Sequence, residues 1–119
     1  MKIAITAQNA SSDSPVDMRF GRAKFIVVYD TDNGAYDAMD NEQNLQAAQG
    51  AGIQSASTVV NAGCSILITG HCGPKAFTAL EKAGVAVYGT TDSSVKDAAE
   101  AFLAGKLNKL TGADVEGHW

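Results

Sequence analysis

"GCSILITGHCGPKAFTALEKAGVAVYG", Gly63 to Gly89, reads as strand, turn, helix and strand in succession. Cys64 to Thr69 carries the unbroken apolar run Ile66-Leu67-Ile68, as in a strand buried on both faces. Pro74 suits the first turn of a helix, where a missing N–H leaves no bond unmade. Ala76, Phe77 and Leu80 then recur at helical spacing, Gly84 stops the run, and Val85 to Tyr88 is a second short strand. Two strands joined through a helix run parallel, because the crossover returns the chain to the edge it left. The segment predicts an α/β fold.

Working outward, Gly50 to Ala62 is a helix with Ile53, Ala56, Val59 and Val60 on one stripe and Gly63 as its stop. Lys2 to Ala7 is a first strand, and Lys24 to Asp30 a second, built on Phe25-Ile26-Val27-Val28-Tyr29. Asp32-Asn33-Gly34 is a tight hairpin turn, since Asn-Gly tolerates the positive φ it requires. Ala35 to Asp40 is short and polar, which suits a sheet edge. On the other side, Ser94-Val95-Lys96-Asp97 resembles a capping box with Asp in place of Glu. It opens a helix through Ala98, Phe102 and Leu103 that ends at Gly105. Lys106 to Trp119 has no period and reads as a loose tail beyond a domain of residues 1–105. The order β-β-β-α-β-α-β-α predicts one mixed five-stranded sheet with flanking helices.

The 119 residues suffice for one core, and 45% hydrophobic with 18% charged residues is ordinary for a globular chain. No apolar stretch approaches the roughly 20 residues that span a bilayer. The N-terminus reads as a strand rather than a leader, so a cytoplasmic location is expected. The net charge of −4 argues against non-specific nucleic-acid binding. One basic patch interrupts the acidic chain: Met18-Arg19-Phe20-Gly21-Arg22-Ala23-Lys24. If Cys64 and Cys72 flank one strand, about 20–26 Å of extended backbone separates them. That forbids both a disulfide and chelation of one ion, and two free thiols are expected.

Ligands of open α/β sheets collect beyond the carboxyl ends of the parallel strands. Three segments are expected there: the long loop Gln8 to Ala23, Gly70-His71-Cys72-Gly73, and Gly89-Thr90-Thr91-Asp92-Ser93. The last two feed helix N-termini, whose N–H groups and dipole favour anions. Arg19, Arg22 and Lys75 add charge to the same rim. Imidazole and thiolate suit soft or borderline metals, and a helix N-terminus lowers a thiol pKa. His71 and Cys72 also fit an ordinary turn, and Phe20 a simple core plug in a solvated loop. A closed zinc site wants four ligands, and nothing in the spacing supplies them. Any metal must therefore arrive with its own ligands, as a preassembled cluster does.

Hydrolytic readings fare worse. The first strand carries no carboxylate to hold divalent ions, and no nucleophile elbow surrounds the serines. Gly50-Ala51-Gly52 lacks the third glycine of a dinucleotide fingerprint, and no phosphate loop of the GxxxxGK[ST] type exists. Cys64 reads as a small core residue, and His118 and Trp119 receive no role.

"RFGRAKFIVVYD", Arg19 to Asp30, and "GAGIQSASTVVNAGCSILITGHCGPKAFTALEKAGVAVYGT", Gly50 to Thr90, resemble the dinitrogenase iron–molybdenum cofactor biosynthesis family, the NifX- and NafY-like domains. The resemblance runs from Met1 to about Gly105. It rests most specifically on Phe-Gly-Arg-Ala and on Gly-x-x-Gly-Pro-x-Ala. It implies a ribonuclease H-like topology without nuclease activity. It also implies non-covalent binding of an anionic molybdenum–sulfur cluster, either iron–molybdenum cofactor or its precursor, or a mixed molybdenum–copper sulfide.

Carried over, Arg19, Phe20, Gly21 and Arg22 match the first element, and Gly70, Gly73, Pro74 and Ala76 the second. The resemblance assigns no ligand role to Cys72. The expected binding set is Met18, Arg19, Phe20, Gly21, Arg22, Gly70, His71, Cys72, Gly73 and Lys75, with His71 and Cys72 nearest the metals. The implied partners are cluster-assembly proteins or MinD/ParA-like ATPases. The rival readings are a cofactor-free module regulating such an ATPase and, last, an enzyme using Cys72 as nucleophile.

Overall fold

Ile3-Ala4-Ile5 of the first strand is fully buried on both sides, which only a strand inside a layered sheet achieves. The computed structural model describes residues 1–41, 51–91 and 93–111. Its strands are β1 (Lys2–Ala7), β2 (Phe25–Asp30), β3 (Ala35–Asp40), β4 (Ile66–Thr69), β5 (Ala86–Gly89) and β6 (Asn108–Lys109). Its helices are α1 (Ala51–Asn61), α2 (Pro74–Lys82) and α3 (Val95–Leu103), and Phe20–Arg22 forms a 3₁₀ turn.

The sheet order is β3-β2-β1-β4-β5-β6. β1 lies parallel to β4 and β4 to β5, while β1–β2, β2–β3 and β5–β6 are antiparallel. The first β-hairpin turns at Asp32-Asn33-Gly34, where Gly34 has φ +73° and Asn33 Oδ1 accepts from the Ala35 N–H at 2.8 Å.

The sheet has six strands rather than the five expected. The extra strand, β6, lies in the segment read as tail, and Gly112 to Trp119 lie outside the described residues. Asn108–Lys109 pairs with β5, and the Leu110 N–H donates to the Val87 carbonyl at 2.8 Å. Two polar residues carry no period, so only this tertiary pairing makes them a strand. The other boundaries shift by one or two residues, as helix and strand ends do. Gly50, expected to open α1, is outside the described residues.

α1 and α2 cover one face of the sheet, where Ala56, Val59, Ala76, Phe77 and Leu80 meet Ala4, Ile26, Leu67 and Val87. α3 covers the other, with Val95, Ala98 and Ala99 against Ile3, Ile5, Val27 and Ile68. Each large aliphatic side chain so buried contributes about 1.5–3 kcal/mol. Ser94 caps α3 by accepting from the Asp97 N–H at 3.1 Å. Each helix stops beside a glycine at positive φ: Gly63, Gly84 and Gly105. Among the described residues, no helix is long and apolar enough to cross a membrane.

Candidate functional site

β1 and β4 are parallel neighbours, so their carboxyl ends finish side by side. Each ends near a threonine, Thr6 and Thr69, and both are fully buried. Thr6 Oγ1 donates to the Asp17 carbonyl (2.6 Å) and shares a hydrogen bond with Thr69 Oγ1 (2.9 Å). The Asp17 N–H returns a bond to the Thr6 carbonyl at 2.9 Å. The loop after β1 is thereby folded back over the strand ends.

From there the chain runs alongside the segment that leaves β4. The His71 N–H donates to the Met18 carbonyl (2.7 Å), and the Phe20 N–H to the His71 carbonyl (3.1 Å). Arg19 and His71 form a parallel bridge. This approach requires a glycine at position 70: a Cβ there would lie 2.7 Å from the Met18 carbonyl oxygen and 2.8 Å from its Cα. The basic loop and the Gly-His-Cys-Gly turn are joined through their backbones.

The 3₁₀ turn begins at that junction. Phe20 is fully buried within the α1–α2 core, and Gly21 is buried beside it. Arg19 is 52% exposed at its side chain; its N–H donates to Asp17 Oδ1 (3.0 Å), and its Nε stands 3.7 Å from the same oxygen. Arg22 is half-buried, and His71 and Lys75 are exposed. Lys75 follows Pro74 in the first turn of α2, whose N-cap, Gly73, makes no side-chain capping bond. Among the described residues, no three His, Cys, Asp or Glu side chains are grouped to hold a metal ion.

A family described as dinitrogenase iron-molybdenum cofactor matches residues 1–105, which include all the residues of this junction. The chain belongs to that family. An uncharacterized protein of Methanocaldococcus jannaschii is 30% identical over 112 residues, covering 92% of each chain. Among solved structures, the apo form of the orange protein from Desulfovibrio gigas is 37% identical, with a TM-score of 0.93 over 96% of each chain. A Thermotoga protein with a provisional NifB designation is 34% identical, with a TM-score of 0.85 over 98% of each chain.

In this member of the dinitrogenase cofactor family the expected His71–Cys72 pair is divided. The Cys72 side chain is fully buried in the α1–α2 core, with Sγ 3.7 Å from the Gly73 carbonyl, while His71 faces solvent. Alternation along extended backbone sends neighbours to opposite sides, so Cys72 packs the core instead of lining the surface. A second expectation is corrected at α3. Its Val95 and Lys96 N–H groups donate to the Ser14 and Ser12 carbonyls, both at 2.9 Å, and Asp97 N–H donates to Ser94. Loop backbone occupies the first turn that an anion was expected to use.

The same bonds order the long loop. Val16 N–H donates to the Ser93 carbonyl (2.8 Å), and Ser14 Oγ accepts from Gln8 and Asn9 (3.1 and 2.8 Å). Asp92 and His118 lie outside the described residues. Cys64, at the opposite end of β4 from the site, is a free thiol that burial pushes up to about 11, against a lowering by Lys2. It stays protonated and inert at neutral pH. Thr6, Thr69 and Asp17 went unnoticed in the sequence. The available signal was a threonine closing each of two apolar strands that are predicted to be parallel.

Proposed function

We propose that this chain binds, carries and hands on a preformed anionic molybdenum-containing sulfide cluster, without catalysing a reaction. The observation that carries this reading is the Arg19–His71 bridge, which joins the two most specific sequence elements beyond the carboxyl ends of the central strands β1 and β4. Arg19, Arg22 and Lys75 supply charge against the cluster. His71 supplies an exposed imidazole, whose ring nitrogens can donate a hydrogen bond to a sulfide or ligate a metal at its surface. Met18 flanks the charged groups, and the buried Phe20 and Gly21 hold Arg19 and Arg22 in place from within. Gly70, with Gly73 beyond it, lets the Met18 backbone approach closely. The lack of a grouped ligand set among the described residues fits a cargo that brings its own sulfides. Cys72, as it packs, is left out of the ligand set.

A molybdenum–copper sulfide, one of the cargoes that the family resemblance implies, is the form to test first. We take cluster-assembly proteins as its partners and a reducing, cytoplasmic setting, in keeping with two free buried cysteines. The order β3-β2-β1-β4-β5 supports a ribonuclease H-like reading of the first five strands, with no carboxylate on β1 to serve a nuclease.

Incubation with tetrathiomolybdate and copper(I), followed by gel filtration, is expected to give coloured protein with molybdenum and copper co-eluting. Arg19→Ala/Arg22→Ala is expected to weaken retention at least tenfold. Charge-assisted contacts contribute about 1.5–3 kcal/mol each, less where solvent screens them. Unchanged retention in that variant rejects the clamp. Colourless wild-type protein rejects cluster binding and favours the cofactor-free module. Cys72→Ala is expected to keep full metal content while losing about 1 kcal/mol of stability, in the range of a small core deletion; loss of metal from a folded variant would restore the thiol as a ligand.

A further inference from the structure

α2 turns its two sides to different tasks. Ala76, Phe77 and Leu80 enter the core, while Lys75, Thr78, Ala79 and Lys82 recur at three-, four- and seven-residue spacing on the outer side. With Ile53 of α1 and Pro74, these residues line an open groove of about 490 Å³ between the two helices. Ile53 is 41% exposed, and Val60, seven residues on along α1, is 37% exposed. An apolar strip is thus left in water beside a helix edge carrying two ammonium groups.

The charge of the groove is opposite to that of the chain. The molecule carries −4 overall, yet among the described residues the groove lining has two lysines and no carboxylate. Seven residues are two helical turns, so the lysines stand about 10 Å apart along α2. A ligand that is apolar along one face and acidic at two points about two turns apart matches both features. Helix-in-groove recognition reads such anchors at i, i+3/i+4 and i+7. A cationic rim also steers an acidic partner in diffusion, while the acidic surface outside this groove and the Arg19–Lys24 patch repels it.

The geometry points to the α1–α2 groove as a docking site for an acidic amphipathic helical segment of a partner protein, apolar side chains against Ile53, Pro74 and Ala79, carboxylates against Lys75 and Lys82. This assignment does not depend on cluster binding, and the test needs no metal. The probe is a synthetic twelve-residue peptide with leucines at i, i+3 and i+7 and glutamates elsewhere, titrated into the ¹⁵N-labelled full chain.

Saturable amide shifts are expected at Ile53, Lys75, Thr78 and Lys82, with affinity falling several-fold between about 50 and 300 mM salt. Lys75→Glu/Lys82→Glu is expected to lower affinity at least tenfold, and Ile53→Ala severalfold. Lys96→Glu/Lys106→Glu, the same charge change at exposed positions elsewhere, is expected to change it less than threefold. Equal binding of a scrambled peptide of the same composition would overturn the proposal. So would shifts centred on Arg19, Arg22 and His71, or an equal loss in both lysine variants. A peptide-free protein that dimerises through these residues in sedimentation experiments would assign the groove to a second copy and overturn it too.

Discussion

Gly70→Ala is expected to destabilise the fold by about 1–3 kcal/mol, the range for forcing an extra group into a packed site. A methyl group there would meet Met18 at three points. The closest, Cε at 2.5 Å, ends a flexible side chain and can swing aside. The Met18 carbonyl oxygen and Cα, at 2.7 and 2.8 Å, are backbone and cannot. Relief requires the Met18–Phe20 strand to move off the 70–71 segment, which strains the two hydrogen bonds flanking Arg19. A drop of several degrees in the melting temperature is expected for a domain of this size. The amides of Phe20 and His71 should lose hydrogen-exchange protection before the rest of the sheet does. Met18→Ala should not rescue the variant, because it removes only the side-chain contact. Wild-type exchange at both amides would refute the account of why glycine stands here.

Phe20→Ala is expected to have the larger effect, about 3–5 kcal/mol, as when a fully buried aromatic ring is cut back. The ring is 0% exposed among Ile26, Ala56, Val59 and Phe77 of the α1–α2 core. A loss of this size is a large part of the roughly 5–15 kcal/mol that a domain possesses. The variant will populate the unfolded state in mild urea, read from its denaturation midpoint. Phe20→Leu keeps the hydrophobic anchor and is expected to cost less than about 1.5 kcal/mol. The pair separates two roles. If the ring only fills space, Phe20→Leu retains cluster as the wild type does. If the ring also fixes where Arg19 and Arg22 stand, Phe20→Leu stays folded but holds the cluster several-fold less well. Wild-type stability in Phe20→Ala would contradict the observed burial.

The strands and helices were legible because each had a local cause. Ile3-Ala4-Ile5 and Ile66-Leu67-Ile68 are unbroken apolar runs that only a two-sided sheet can bury. Pro74, Ser94 and the glycines at 63, 84 and 105 mark helix ends by backbone chemistry that acts within a few residues. β6 had no such cause: Asn108 and Lys109 become a strand only because β5 offers an open edge and Leu110 reaches the core. The convergence of Met18–Arg22 with Gly70–Gly73 followed from strand order. The opposite aims of His71 and Cys72 depended on the extended path set by Arg19, and neighbouring letters do not reveal such a path. The occupied first turn of α3 was also hidden, since its acceptors, Ser12 and Ser14, lie some eighty residues upstream.

The central place of β1 bears on synthesis at the ribosome. Its partners on one side, β2 and then β3, follow within forty residues, so a three-stranded meander can assemble as soon as it emerges. Its other partner comes much later, for Ile3 pairs with Ile66. Until then the nascent meander presents Ala4, Ile26 and Val28 on one side and Ile3, Ile5 and Val27 on the other, with neither helical layer complete. A chain interrupted before β4 would therefore be sticky on both faces, the kind of species that chaperones hold. Arrival of β4 and of the helices that cover both faces, rather than growth of the first meander, is the step that removes this exposure.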